Sequence, residues 1–197
     1  MTPDGHIRHL PNILTILRMA VTPAIIVLLF SGSLAGRSAA LALFVLAAIS
    51  DYFDGHIARR ISAPSRVGRF LDPLADKVLV LGTFAGLAIL LPNLVPWWAV
   101  ALVGLRDVAV TGLRMRAEAR GTSVRTLPMA KTKTTVQLVF LIGMLATLVA
   151  DKLPGTAGHV GSWVLGSPVP IIVLAVVVIV TVLTGFAYFY RPQYVGN

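Results

Sequence analysis

Cysteine is absent from this chain of 197 residues. No disulfide framework and no thiolate metal site can be built without it. Acidic residues are also scarce: there are eight, against 17 lysines and arginines, for a formal net charge of +9. Charged residues of both signs make up only 13% of the sequence, well below the ~25% of a soluble domain. Hydrophobic residues account for 56%, and the mean hydropathy is +0.84. What the chain has instead is apolar sequence, in runs that approach the ~20 residues a membrane-crossing helix needs. Composition therefore predicts an all-α integral membrane protein forming a single domain over residues 1–197. There is no internal repeat and no low-complexity tract.

Six transmembrane helices are expected, over Pro11–Phe30, Arg37–Arg59, Phe70–Leu91, Pro96–Arg116, Leu127–Ala150 and Val169–Tyr190. Met1–His9 reads as a short polar segment along the interface. Prolines punctuate the ends: Pro64, Pro92 and Pro96 sit in turns, and Pro168 and Pro170 open the last span. The basic residues set the orientation. Arg59, Arg60, Arg66 and Arg69 crowd the turn between spans two and three. Arg116, Arg120, Arg125, Lys131 and Lys133 hold or border the turn between spans four and five. The other connections carry only Arg37 and Lys152. The loaded turns and both termini should face the cytoplasm, making this a multi-pass protein of the inner membrane. Tyr188, Tyr190 and Arg191 fit an anchor at that face. A signal peptide is the competing reading of the start, with Arg8 ahead of an apolar stretch and Ser33-Leu34-Ala35 as the cleavage site. Arg18 interrupts that stretch, and cleavage would leave five spans.

Half of the eight acidic residues fall in one 26-residue window, as Asp51, Asp54, Asp72 and Asp76. Asp51 and Asp54 are three apart and Asp72 and Asp76 four apart, so each pair shares a helix face. The first pair closes span two and the second opens span three. With a tight turn at Pro64 between them, the helix ends become antiparallel neighbours and the carboxylates can converge below the cytoplasmic boundary. An all-oxygen set with no histidine or cysteine nearby suits a hard cation, Mg²⁺ or Mn²⁺, as one or two ions. Gly55 lets a ligand approach the backbone, Ala58 is small, and Gly68 supports a turn or close helix contact. The alternative is a structural ion-pair network with the neighbouring arginines.

Basic and polar residues interrupt the other spans. Arg106 lies near the middle of span four, an uncomfortable place for a lipid-facing cation. Arg114, eight residues on, shares roughly the same face. With Lys131 and Lys133 they could form a phosphate-binding pocket opposite the acids. Pairing of Arg106 with Asp107, and ordinary membrane anchoring by the two lysines, are the alternatives. Asn12, Thr15 and Arg18 recur every three residues in span one, a polar stripe that should face the cavity. Helix capping by Asn12 and snorkelling of Arg18 would explain the same stripe. A divalent-cation transporter could also use four aspartates, but it needs a polar path through the bilayer, and the outer halves of the spans are apolar. No nucleic-acid partner is expected.

The string Asp51-x2-Asp54-Gly55-x2-Ala58-Arg59-x8-Gly68-x3-Asp72-x3-Asp76 resembles the signature of the CDP-alcohol phosphotransferases at every fixed position. Within that family the chain is similar to the phosphatidylglycerophosphate synthases. Leu10-Pro11-Asn12, Thr15 and Arg18, the run Leu71–Lys77, and Lys131-Thr-Lys133-Thr134-Thr135-Val-Gln137 carry the closer likeness. Ala130 and Asp107 depart from it, standing where glycine and glutamate are common. The resemblance implies six spans around a polar cavity open to the cytoplasm. It implies transfer of a phosphatidyl group from CDP-diacylglycerol to sn-glycerol 3-phosphate, with release of CMP; inositol phosphate and phosphatidylglycerol are other acceptors used with this chemistry. It further implies that Asp51, Asp54, Asp72 and Asp76 bind metal, and that Asp76 is the general base. Asn12, Thr15, Gly55, Ala58, Arg59, Ser65 and Gly68 would line the CDP-lipid site, and Arg106, Arg114, Lys131 and Lys133 the acceptor phosphate. A homodimer among membrane lipids is expected.

Overall fold

The computed structural model describes the backbone of residues 10–61, 68–119, 122–124, 128–190 and 194–196, and the side chains of 19–50, 77–113, 115–117 and 133–186. Within these bounds the chain forms α1 (Leu10–Phe30), α2 (Leu34–Ile61), α3 (Gly68–Leu90), α4 (Trp97–Ala119), β1 (Thr122–Val124), α5 (Pro128–Ala150), α6 (Thr156–Gly166), α7 (Val169–Tyr190) and β2 (Tyr194–Gly196). A helix stands at each of the six expected positions. Met1–His9, the turn with Pro64, and Arg191 lie outside the described residues.

Local chemistry explains the ends. Gly32 adopts a left-handed φ of 67°, the conformation that closes α1 at little cost for glycine. Ser31 Oγ donates to the Leu28 carbonyl (2.7 Å), satisfying one of the last acceptors of that helix. Ser33 then caps α2: its Oγ accepts from the Gly36 backbone N–H (3.0 Å) in the third position of the helix.

Two elements depart from the all-α, six-helix expectation. The first is α6, which packs against α5 and α7. Its glycines make it look like a loop in sequence. In the fold they have a steric purpose. A Cβ on Gly158 would strike the Leu153 carbonyl, and one on Gly161 the backbone of Ala150 and Asp151. The second departure is an antiparallel pair of strands, with Thr122 opposite Gly196, Ser123 opposite Val195 and Val124 opposite Tyr194. Three residues are too few to leave a readable alternation.

α5 is the most connected helix, touching α2, α3, α6 and α7. α1 lies along both α2 and α3, and α4 lies against α3 and α7. Sequence spacing predicts α2 and α3 as direct antiparallel neighbours. The side chains at the acidic ends, where that contact is expected, lie outside the described residues; elsewhere α1 and α5 each pack against both helices. The interior is apolar, with Ile25, Leu29, Phe44, Leu87, Leu141, Leu145 and Leu174 buried and the rings of Phe84 and Phe140 stacked at 5.7 Å. Large apolar side chains also cover the outside: Val27, Leu105, Val139, Trp163 and Leu183 are each 61–70% exposed. An outward face of this kind suits a lipid environment. Two windows of the described residues, Lys133–Ala150 and Val169–Phe186, are long and apolar enough to cross a membrane.

α1 and α3 run parallel. Gly82 faces Thr22 and, one turn on, Gly86 faces Ile26 and Leu29. The small residues at 82 and 86 thus serve a close helix–helix contact within the chain. At the far end of the bundle Arg37 Nη1 donates to the Leu148 carbonyl (3.0 Å) and to Asp151 Oδ2 (3.2 Å). Asp151 Oδ1 also accepts from Ser162 Oγ (3.2 Å), so one carboxylate joins the start of α2, the end of α5 and α6. A Cβ at Gly82 would come within 2.5 Å of Thr22 Cγ2. Gly82→Leu should therefore destabilise the protein by roughly 1–3 kcal/mol through overpacking. Gly143→Leu, at a position with open space around it, should not. Thermal unfolding in detergent compares the two, and equal midpoints would refute the close α1–α3 contact.

Candidate active site

The acid window is divided between two helices. Asp51 and Asp54 sit in the last eleven residues of α2, and Asp72 and Asp76 in the first nine of α3. Their side chains lie outside the described residues, as do those of Asn12, Thr15, Gly55, Ala58, Arg59 and Gly68. Ser65 lies wholly outside them. The backbone nevertheless fixes which end of the bundle they occupy. Thr22 of α1 is level with Gly82 of α3, and the two helices are parallel. Asn12 stands ten residues before Thr22 and Asp72 ten before Gly82, so both are at the same end. The contact of Arg37 with Leu148 and Asp151 puts the start of α2 beside the end of α5. The acidic end of α2 therefore lies on the same side as the start of α5, which carries Lys131 and Lys133.

A second alignment brings the acids level with a buried basic cluster. On α4, a Cβ at Gly104 would lie 3.7 Å from Leu81 of α3. Moving five residues along each of these antiparallel helices brings Asp76 level with Ala109. Arg106 and Asp107 occupy the neighbouring turn. Lys77, the residue after Asp76, is near enough for its charge to act on Lys133.

The cluster is built from three helices. Asp107 of α4 is 4% exposed and Lys133 of α5 7% exposed. Lys133 Nζ donates to both carboxylate oxygens of Asp107, at 2.5 and 2.6 Å. Arg106 Nη1 donates to Asp107 Oδ1 at 3.3 Å. The rest of the guanidinium is turned to α7, where Nε donates to the Thr181 carbonyl (3.2 Å) and Nη2 to Thr184 Oγ1 (3.2 Å). Gln137 Nε2 donates to Thr181 Oγ1 (3.2 Å), which ties α5 to α7. Gly185 makes room, since a Cβ there would come within 2.8 Å of Arg106 Cγ.

Two of the four expected acceptor-site cations, Arg106 and Lys133, are thus brought together. The side chains of Arg114 and Lys131 lie outside the described residues. Burial of Lys133 removes membrane anchoring as the account of that residue, because a snorkelling lysine keeps its ammonium in water. The pairing of Arg106 with Asp107, the alternative to a phosphate-binding role, is present as well. Gln137, Thr181 and Thr184 were not expected. Their signal was available: Lys133 and Gln137 are four apart and Thr181 and Thr184 three apart, helical spacings for polar groups in apolar runs. Lys133 and Arg106 thus bring two cationic side chains to one carboxylate in a largely buried place.

Among the described residues no three histidine, aspartate or glutamate side chains come together. The four aspartates lie outside that description. Their chemistry fits a hard divalent ion: all donors are carboxylate oxygens, and each pair has helical spacing.

A family model for CDP-alcohol phosphatidyltransferase matches residues 8–183. The chain is 35% identical over 193 residues to a probable phosphatidylglycerophosphate synthase of Mycobacterium tuberculosis (strain ATCC 25618 / H37Rv), covering 95% of this chain and 83% of that protein. It is 32% identical over 194 residues to the CDP-diacylglycerol--glycerol-3-phosphate 3-phosphatidyltransferase of Bacillus subtilis (strain 168), covering 92% of this chain and 93% of the relative. The enzyme of the same name from Cereibacter sphaeroides is 35% identical over 159 residues, covering 78% of this chain and 71% of the relative. The acidic string on α2 and α3 and a match over nearly the whole length lead to one conclusion: this chain belongs to the CDP-alcohol phosphatidyltransferase family.

Proposed function

We propose that this protein transfers the phosphatidyl group of CDP-diacylglycerol to sn-glycerol 3-phosphate, giving phosphatidylglycerophosphate and CMP. The observation that carries this reading is the alignment of α3 with α4. It brings Asp76 level with the buried cluster of Arg106, Asp107 and Lys133. Such an arrangement suits an acceptor with a hydroxyl at one end and a phosphate at the other. The relatives named for this reaction support the choice of donor and acceptor.

In this mechanism Arg106 and Lys133, joined by Arg114 and Lys131, hold the acceptor phosphate. Asn12, Thr15, Gly55, Ala58, Arg59, Ser65 and Gly68 line the CDP-lipid site. Asp51, Asp54, Asp72 and Asp76 hold one or two divalent ions, Mg²⁺ or Mn²⁺. The chemistry such ions supply is neutralisation of the donor diphosphate and stabilisation of the departing CMP phosphate. Asp76 takes the proton from the acceptor hydroxyl as its oxygen forms a bond to the phosphatidyl phosphorus. The bond from that phosphorus to the CMP oxygen breaks, and CMP leaves with the electron pair. Most of the rate enhancement comes from positioning and electrostatics, as in other phosphoryl transfers.

The protein acts in the inner membrane with six crossing helices, both termini in the cytoplasm, and a polar cavity open to that side. The 11 residues of α6 span only about 16 Å, too short to cross a hydrocarbon core of ~30 Å. The working form is a homodimer among membrane lipids.

Three outcomes test this reading. Purified protein should release CMP from CDP-diacylglycerol with glycerol 3-phosphate in preference to inositol phosphate, inositol, serine or phosphatidylglycerol, and a divalent chelator should abolish release. A different preferred acceptor would overturn the substrate assignment. Asp76→Asn should lower turnover by about 10²–10⁴-fold, the usual contribution of a general base, while retaining donor binding. Normal turnover by that variant would remove Asp76 from the role. The absence of cysteine makes single-cysteine labelling clean. A thiol at Ser123→Cys should react with an impermeant reagent only in inside-out vesicles, and one at Thr156→Cys only in right-side-out vesicles. The opposite pattern would invert the topology.

A further inference from the structure

We infer that Asp107 is a positioning residue of the acceptor site: it fixes Lys133 and Arg106 beside each other and so sets where the acceptor phosphate binds. This rests on the acceptor reading above and adds a residue to which that reading gives no part.

The geometry goes beyond what helix packing requires. Asp107 spends both carboxylate oxygens on one ammonium and shares one of them with a guanidinium. A lysine side chain has four rotatable bonds, and an unrestrained Nζ at this position could sweep several ångströms. Bidentate contact with a buried carboxylate removes that freedom. Arg106 is restrained twice, by Asp107 on one side and by Thr181 and Thr184 of α7 on the other. Asp107 is itself firmly placed. Its backbone carbonyl accepts from Thr111 Oγ1 (2.7 Å) and its side chain is buried.

Electrostatics point the same way. Asp107 lies between Arg106 and Lys133, and Lys77 is within electrostatic range of Lys133. The carboxylate lowers the mutual repulsion enough for the two cations to stay together. A preorganised cluster of this kind binds its anion without first ordering long side chains, which is where affinity is otherwise lost. The chain length of residue 107 also matters. A glutamate would carry the carboxylate about 1.5 Å further from α4, moving Lys133 rather than releasing it.

The test compares wild type, Asp107→Asn, Asp107→Glu and the double variant Asp107→Asn/Lys133→Gln, each as full-length protein in proteoliposomes. CMP release is measured against glycerol 3-phosphate at saturating CDP-diacylglycerol and against CDP-diacylglycerol at saturating glycerol 3-phosphate, alongside thermal unfolding. Asp107→Asn should raise the KM for glycerol 3-phosphate about tenfold or more, the worth of one charge-assisted hydrogen bond, and leave the KM for CDP-diacylglycerol unchanged. Asp107→Glu should recover most of that loss. The double variant should regain thermal stability, because it no longer buries an unpaired lysine, but keep the raised KM. Recovery of both stability and acceptor KM in the double variant would reduce Asp107 and Lys133 to a helix clamp and overturn the inference. So would an unchanged acceptor KM in Asp107→Asn. If wild type releases CMP with glycerol 3-phosphate and the variants fail these expectations, the positioning role alone falls. If wild type shows no such release, the acceptor reading falls and takes this inference with it.

Discussion

A carboxylate buried between two cations governs this fold. Asp107 on α4, Lys133 on α5 and Arg106 beside it cannot be separated cheaply, because each would be left as a charge in a poorly polarisable medium. The arginine adds α7 to the same knot through Thr181 and Thr184. Apolar contacts between lipid-exposed helices are weak guides to register, since lipid tails are as good a neighbour as leucine. Hydrogen-bonded charge is a strong guide. The polar knot therefore sets the height of α4, α5 and α7 relative to one another, and the leucines and phenylalanines around it fill the remaining space.

Each end of the bundle holds a carboxylate shared by two cations. At one end Asp151 pairs with Arg37 at 3.2 Å and with Lys152 at 3.8 Å and accepts from Ser162, closing the start of α2 onto the end of α5. At the other end Asp107 pairs with Lys133 and Arg106. Between the ends, α1 and α3 run side by side with Gly82 and Gly86 at their contact.

Much of this was legible in the sequence, and what was missed has a physical cause. The six long helices were readable because apolar runs of membrane length are rare by chance, and Pro11, Pro96 and Val169 mark starts that the structure reproduces within a residue or so. The acidic string was legible because Asp51 to Asp76 stand against an apolar background. The pairing of Arg106 with Asp107 was legible as the alternative to a phosphate-binding role. The hold of Asp107 on Lys133 was not, since 26 residues separate them and only packing brings α4 to α5. The helix α6 was hidden by Gly158 and Gly161, residues that normally argue against a helix but here admit a backbone crossing.

The small sheet formed by Thr122–Val124 and Tyr194–Gly196 has a consequence for how this protein can vary. One strand follows α4 and the other follows α7, and hydrogen bonds between them require a shared compartment. Any rearrangement that adds or removes a single traverse between residues 124 and 194 would place the bilayer between the two strands. The ladder therefore acts as a parity check on the path of the chain, permitting crossings to be gained or lost only in twos.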